Sequence, residues 1–160
     1  MDITTLLTNT DLEIVLKLFT ALLLGMSLGI ERAIAGKTAG MRTYGFVTMG
    51  SALFVIIGVL ATGGYGANAA VFTDSSARIT AAIIQGIGFI GAGLIFFKDE
   101  RVSGVTTAAG IWVASGIGVA TGYGFYALAA ITTVFALFIF TVLWYIEHKL
   151  TALARVDQED

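Results

Sequence analysis

The sequence predicts an all-α, polytopic integral membrane bundle of about five helices, and three observations carry that prediction. Hydrophobic residues make up 57% of the 160 positions and charged residues only 12%, about half the charge of an ordinary soluble domain. Apolar runs near the bilayer-crossing length of roughly 20 residues recur from end to end. Proline, which would break such runs, is absent, while glycine, frequent in membrane helices, occurs 20 times. One domain over 1–148 with a short polar tail at 149–160 is the expected organisation.

The five expected spans are about 13–31, 44–62, 78–97, 104–122 and 125–147, joined by short connections. The first begins after Met1-Asp2-Ile3-Thr4-Thr5, which lacks the positive region of a secretory signal, so it reads as a retained helix. On a helical wheel Glu13, Lys17, Thr20, Ser27 and Glu31 fall within about 40° of one line, a polar stripe that lipid would not tolerate. Either this stripe faces water or another surface, or its charged members snorkel at the two interfaces. Gly25 and Gly29 lie on another side and are expected to take a close helix neighbour, including a second copy of the chain.

The second and fourth spans open on Gly40-Met-Arg-Thr43 and Gly104-Val-Thr-Thr107 and close on Ala61-Thr-Gly-Gly-Tyr-Gly66 and Ala120-Thr-Gly-Tyr-Gly124. A repeat of two parallel hairpins, with the first span added, or chance similarity in a glycine-rich chain both account for this. The turn between the last two spans is expected at Gly122-Tyr-Gly124.

The third span contains Gly86-x-Gly88-x-x-Gly91, but the strand before, the helix after and the acidic residue about 20 positions on that a dinucleotide fingerprint needs are missing. In lipid the run reads as a packing surface: Arg78, Gln85, Phe89, Ala92 and Phe96 share a face, Gly86 and Gly93 flank it on one side and Ala81 and Gly88 on the other, and Gly91 is a further packing candidate of the same run. Neighbours on both flanks would enclose Gln85. Asp74 stands one turn before Arg78, in reach of an ion pair. Asp74, Arg78 and Gln85 then line an outward-facing polar cavity, or form an interfacial salt bridge and a core hydrogen bond. Ser103 is the expected cap of the fourth helix, Thr106 and Thr107 bond back to its carbonyls, and the Trp112 indole is expected to find a buried partner.

Seven of the nine Lys and Arg residues (Arg32, Lys37, Arg42, Lys98, Arg101, Lys149 and Arg155) fall on one side if the spans alternate. Lys17 and Arg78 fall on the other. The excess puts the N-terminus outside and the C-terminus in the cytoplasm. A net charge of -2 without a basic cluster argues against nucleic acid. No cysteine is present, the single His148 makes no zinc site, and no catalytic triad, phosphate loop or HExxH motif occurs, so an enzyme is not expected.

Taken in order, Gly29-Ile-Glu-Arg32, Gly40-Met-Arg-Thr43, Asp74-x-x-x-Arg78 running into Gly86-Ile-Gly-Phe-Ile-Gly-Ala-Gly93, and Gly104-Val-Thr-Thr-Ala-Ala109 with Trp112 resemble the N-terminal membrane domain of the MgtC/SapB family. The blocks span most of the chain. The resemblance implies a multi-pass protein of the bacterial inner membrane, linked to growth at low magnesium and to survival in host cells. It marks Arg32, Arg42, Thr43, Thr106, Thr107 and Trp112 as motif residues, beside Glu31, Asp74, Arg78 and Gln85 as candidates for a polar or ion site. Longer members carry a cytoplasmic C-terminal domain, and this sequence ends at Asp160 before it. No cofactor is expected; Mg²⁺, which wants several oxygen ligands and keeps its waters, is the ion the family name suggests. The functional expectation is an inner-membrane protein of magnesium or ion homeostasis, with transport as one form. The alternative is a non-transporting regulator that binds another membrane complex, such as the proton-driven ATP synthase. The expected partners are the bilayer, a second copy and such a complex.

Overall fold

The computed structural model describes residues 9–61, 74–98, 101–147 and 149–150. Its helices are α1 (Asn9–Ile34), α2 (Met41–Ala61), α3 (Asp74–Gly93), α4 (Val105–Gly122) and α5 (Tyr126–Phe138), the last continuing through a π-helical stretch at Ile139–Leu143 to residue 147. Among the described residues four helices are long and apolar enough to cross a membrane: Thr10–Ile34, Met41–Ala61, Val105–Gly122 and Tyr126–Glu147. The chain is therefore a multi-pass membrane bundle. At 20 residues α3 has the length as well, but Asp74, Arg78 and Gln85 dilute its hydropathy.

Side-chain contacts establish how the helices run. Gly25 of α1 meets Tyr44 and Thr48 of α2, and Gly29 meets Met41, so α1 and α2 are antiparallel. Gly110, Ser115 and Gly122 of α4 meet Tyr44, Ser51 and Val55 of α2 in ascending order, so these two are parallel neighbours. This is the direction the repeated sequence blocks require. At one end of α3 Ile79 lies on Gly58 and the Tyr123 hydroxyl donates to the Ser76 carbonyl at 2.9 Å; at the other Gly91 meets Ala108. So α3 runs the whole length of α4, antiparallel to it, and traverses the same thickness. Residue 17 lies by Gly124 and residue 32 by Phe140, so α1 and α5 are parallel. Five helices thus alternate, and the start of α1 and the end of α5 fall on opposite sides of the bundle.

At the centre stands α4, with 11 of its 18 residues buried. Its glycines make that possible: a Cβ at Gly122 would lie 2.9 Å from the Ala52 carbonyl oxygen, and one at Gly118 would run into the carbonyl of Thr48. Close backbone approach of this kind supplies the dispersion contacts that hold helices together in lipid. Most of the buried hydroxyls bond within the bundle: Thr48, Thr121 and Thr133 bond back to carbonyls of their own helices, and Ser51 and Ser115 bridge α2 and α4 at 2.9 Å.

The first helix runs longer than expected, Asn9–Ile34 against about 13–31, the second starts at Met41 against 44, and two differences around α3 and α4 are larger in consequence. The third helix covers Asp74–Gly93 and not 78–97, because tight turns from Leu94 to Gly91 and from Ile95 to Ala92 close it. Phe96–Lys98 (β1) then pairs with Arg101–Ser103 (β2) in a short antiparallel hairpin. Ser103 is spent on that hairpin and does not cap α4. The capping position is Gly104 at φ 89°, without a side-chain cap bond, a left-handed conformation that glycine adopts freely. The glycine turn into α5 forms as expected: Gly124 has φ 84°, and Phe125 N–H donates to the Ala120 carbonyl at 2.8 Å.

The Tyr123 hydroxyl also lies 3.0 Å from the Thr80 hydroxyl, which makes it the clamp on the N-terminal half of α3. Tyr123→Phe is expected to cost about 1–2 kcal/mol by removing both bonds. Thermal unfolding in detergent should show a lower Tm, with faster hydrogen exchange confined to the first turns of α3.

Candidate functional site

At the C-terminal end of α1, Glu31 and Arg32 are neighbours in sequence and so leave the helix about 100° apart. Arg32 turns inward and is 2% exposed, while the Glu31 side chain keeps 18% of its surface. The guanidinium Nε donates to Glu31 Oε2. Nη2 donates to the Phe140 carbonyl at 3.2 Å, and the guanidinium carbon sits 3.7 Å from the centroid of the Phe140 ring. One cation is therefore held by a carboxylate, a carbonyl and an aromatic face, the combination a planar guanidinium accommodates and an ammonium does not.

Local geometry in α5 explains the carbonyl. In an α-helix the Trp144 N–H would bond to Phe140 four residues back. Around the π stretch it goes to Thr141 instead, which leaves a lone pair of the Phe140 carbonyl to face α1. Such π-bulges recur at functional positions. Tyr44, fully buried, meets Phe140 edge to face at 6.3 Å. Gly110 makes room for both, since a Cβ there would lie 2.5 Å from Phe140 Cζ. The Tyr44 hydroxyl is buried and finds no hydrogen-bond partner among the described residues.

The expected site residues do not come together as one group. Glu31 and Arg32 form the centre just described. Asp74 and Arg78 lie at the other end of the bundle and Gln85 near the middle of α3, all three exposed, so Gln85 is not enclosed by neighbouring helices. Among the described residues no ion pair joins Asp74 to Arg78. Arg42 and Thr106 are exposed, Thr43 is half-buried and Thr107 is buried. Trp112 is 55% exposed on the outer surface of α4, so the buried partner expected for its indole is not there; the inward side of that helix is filled by Ile111 and Ala114. His148 lies outside the described residues.

The glycines divide as well. Gly25 and Gly29 are consumed within the chain: a Cβ at Gly25 would lie 2.6 Å from the Tyr44 carbonyl and one at Gly29 2.7 Å from the Met41 nitrogen. They leave no room for a second copy, against expectation. A Cβ at Gly91 would lie 3.8 Å from Ala108, while at Gly86, Gly88 and Gly93 it would meet nothing within 4 Å among the described residues, which do not supply the packing expected on the flanks of Gln85. Of the stripe on α1 only Lys17 is buried, at 8% exposed and paired with Glu13 at 2.8 Å; Glu13 is exposed, and Thr20, Ser27 and Glu31 are half-buried, with Ser27 bonding to its own helix. Among the described residues no group of three or more His, Cys, Asp or Glu gathers to hold a metal.

Phe140, Tyr44 and Gly110 belong to this centre but were not candidates by sequence. Tyr44 reads as an interface aromatic, and a π stretch has no residue signature of its own.

A profile described as the MgtC family matches residues 18–149. The protein named "Putative magnesium transporter YhiD" of Escherichia coli strain K12 is 38% identical over 139 residues, 87% of this chain and 62% of its own length. Protein SrpB of Synechococcus elongatus is 37% identical over 129 residues, 76% of this chain and 69% of SrpB. Protein MgtC of Brucella abortus is 38% identical over 115 residues, 72% of this chain and 44% of that protein. This chain thus spans under two thirds of YhiD and under half of that MgtC. No solved structure matches it.

Proposed function

The chain belongs to the MgtC family, and we propose that it is a bacterial inner-membrane protein of magnesium homeostasis, with its N-terminus outside and its C-terminus in the cytoplasm. The observation that carries a functional centre is Arg32, 2% exposed inside a membrane bundle, where an ionisable residue is costly and marks function by default. The orientation is supported by the alternation of the helices, which puts residues 32, 37, 42, 98, 101 and 149 at one end and residues 17 and 78 at the other.

Close packing of α1, α2 and α4 favours action through contact with other membrane proteins over conduction through one bundle. Mg²⁺ needs a wide hydrated path or several carboxylates. Glu31 is engaged by Arg32, Asp74 lies at the opposite end, and between them glycines bring the backbones of α2 and α4 together at Gly118 and Gly122. The transport form is tested by Mg²⁺ flux into vesicles holding the purified chain and an internal Mg²⁺ dye. The expected flux equals that of empty liposomes; flux above them that Glu31→Gln abolishes would establish transport instead. The role in homeostasis is tested in a bacterium lacking its own family member. Wild type should restore growth at low Mg²⁺ and Arg32→Met should not, and growth indifferent to the chain would overturn the reading.

A further inference from the structure

We propose that α3 is a self-association surface, on which a second copy of this chain docks through a two-fold axis along the membrane normal. Asp74, Arg78, Ala81, Gln85, Gly88 and Ala92 follow one another at spacings of four, three, four, three and four residues. This is the seam of a left-handed helix pair. All six are exposed, whereas the two buried residues of α3, Ser76 and Ile87, point the opposite way into the bundle. A helix that crosses the bilayer's thickness thus turns toward lipid an acid, a base and, near its midpoint, a primary amide. An amide left unpaired in hydrocarbon costs several kcal/mol, so lipid is the wrong neighbour for this face.

Self-complementarity identifies the occupant. All copies insert the same way, so a two-fold axis along the normal brings two α3 helices together in parallel, residue against like residue. Gln85 carries both donors and an acceptor and pairs with its own copy. Asp74 and Arg78 each lie level with their own copy, and being one turn apart, without an ion pair to each other in one chain, each reaches the opposite charge diagonally, one turn along the partner helix. Ala81, Gly88 and Ala92 let the backbones approach; Gly88 has nothing within 4 Å and so has space to receive a neighbour. A polar residue at one seam position also fixes register.

The chain has no cysteine, which permits single-cysteine crosslinking in native membranes. On oxidation, Ala81→Cys, Gly88→Cys and Ala92→Cys should give a band of twice the chain's mass. Ile90→Cys, exposed on the same helix but off the seam, should not. Equal crosslinking at Ile90 and the seam, no crosslinking at any seam position, or a band whose mass is not that of two copies would overturn the proposal. In detergent, Asp74→Arg and Arg78→Asp should each lower the dimer fraction about threefold, as expected of a partly exposed ion pair, and the double exchange should restore it. A dimer fraction unchanged by the single exchanges would also overturn it.

Discussion

Arg32→Met should lower the unfolding free energy of the bundle by about 3 kcal/mol, the lower end of the cost of breaking a buried ion pair. The lower end applies because the Glu31 side chain keeps 18% of its surface and recovers some hydration. Methionine fills much of the volume but leaves three groups behind: a carboxylate with no counter-ion, a Phe140 carbonyl with no donor from α1, and a ring without its cation. Glu31→Gln should cost less in packing but strand the guanidinium. The double variant, Arg32→Met with Glu31→Gln, should therefore be more stable than the sum of the two losses predicts. Arg32→Lys should recover only part, because an ammonium cannot serve carboxylate, carbonyl and ring at once. Denaturant or thermal unfolding in detergent gives the comparison. A Tm for Arg32→Met within a degree of wild type would show that the centre contributes nothing to the fold.

Gly118→Ala should be comparably damaging, and Gly116→Ala, two residues away on the same helix, harmless. A Cβ at Gly118 would run into the Thr48 carbonyl and lie 2.8 Å from Ser51 Cβ, so the methyl group meets the body of α2 and not a flexible side-chain end. The only remedy is to separate α2 from α4, at a cost of about 1–3 kcal/mol or more for overpacking. That separation would also stretch the Ser51–Ser115 bridge. Gly116 has nothing within 4 Å, and alanine there should be neutral or stabilise by roughly 0.5–1 kcal/mol through helix propensity. Equal Tm values for the two variants would refute the assignment of Gly118 as the contact between the helices.

These two glycines show where sequence reading stops. Both occur in one apolar run, and composition alone assigns both to close packing. Which one touches a neighbour depends on the rotation of α4 about its axis, which is set by all its partners together. The same rotation misplaced the glycines of α3. Counted along the chain, Gly86, Gly88, Gly91 and Gly93 read as the tightest packing site, yet among the described residues only Gly91 has another helix within 4 Å of where its Cβ would lie. The sequence wheel did identify a face holding Arg78 and Gln85. It could not say that this face turns away from the bundle, because the polar residues that suggested burial are equally what a surface between two copies requires.

Membrane class, helix number and the lengths of most spans were determined by the sequence itself, since a bilayer leaves few solutions to an apolar run of 20 residues with satisfied backbone bonds. Family membership followed from ordered motifs, which also marked Arg32, and Glu31 stood out because charge in an apolar helix is expensive wherever the helix lies. Tertiary structure alone decided what Arg32 touches. Phe140 lies 108 positions away, and its carbonyl accepts from Arg32 within the π-helical stretch of α5. Contacts over that separation are set by the joint packing of α1, α2, α4 and α5, and no local pattern of residues encodes them.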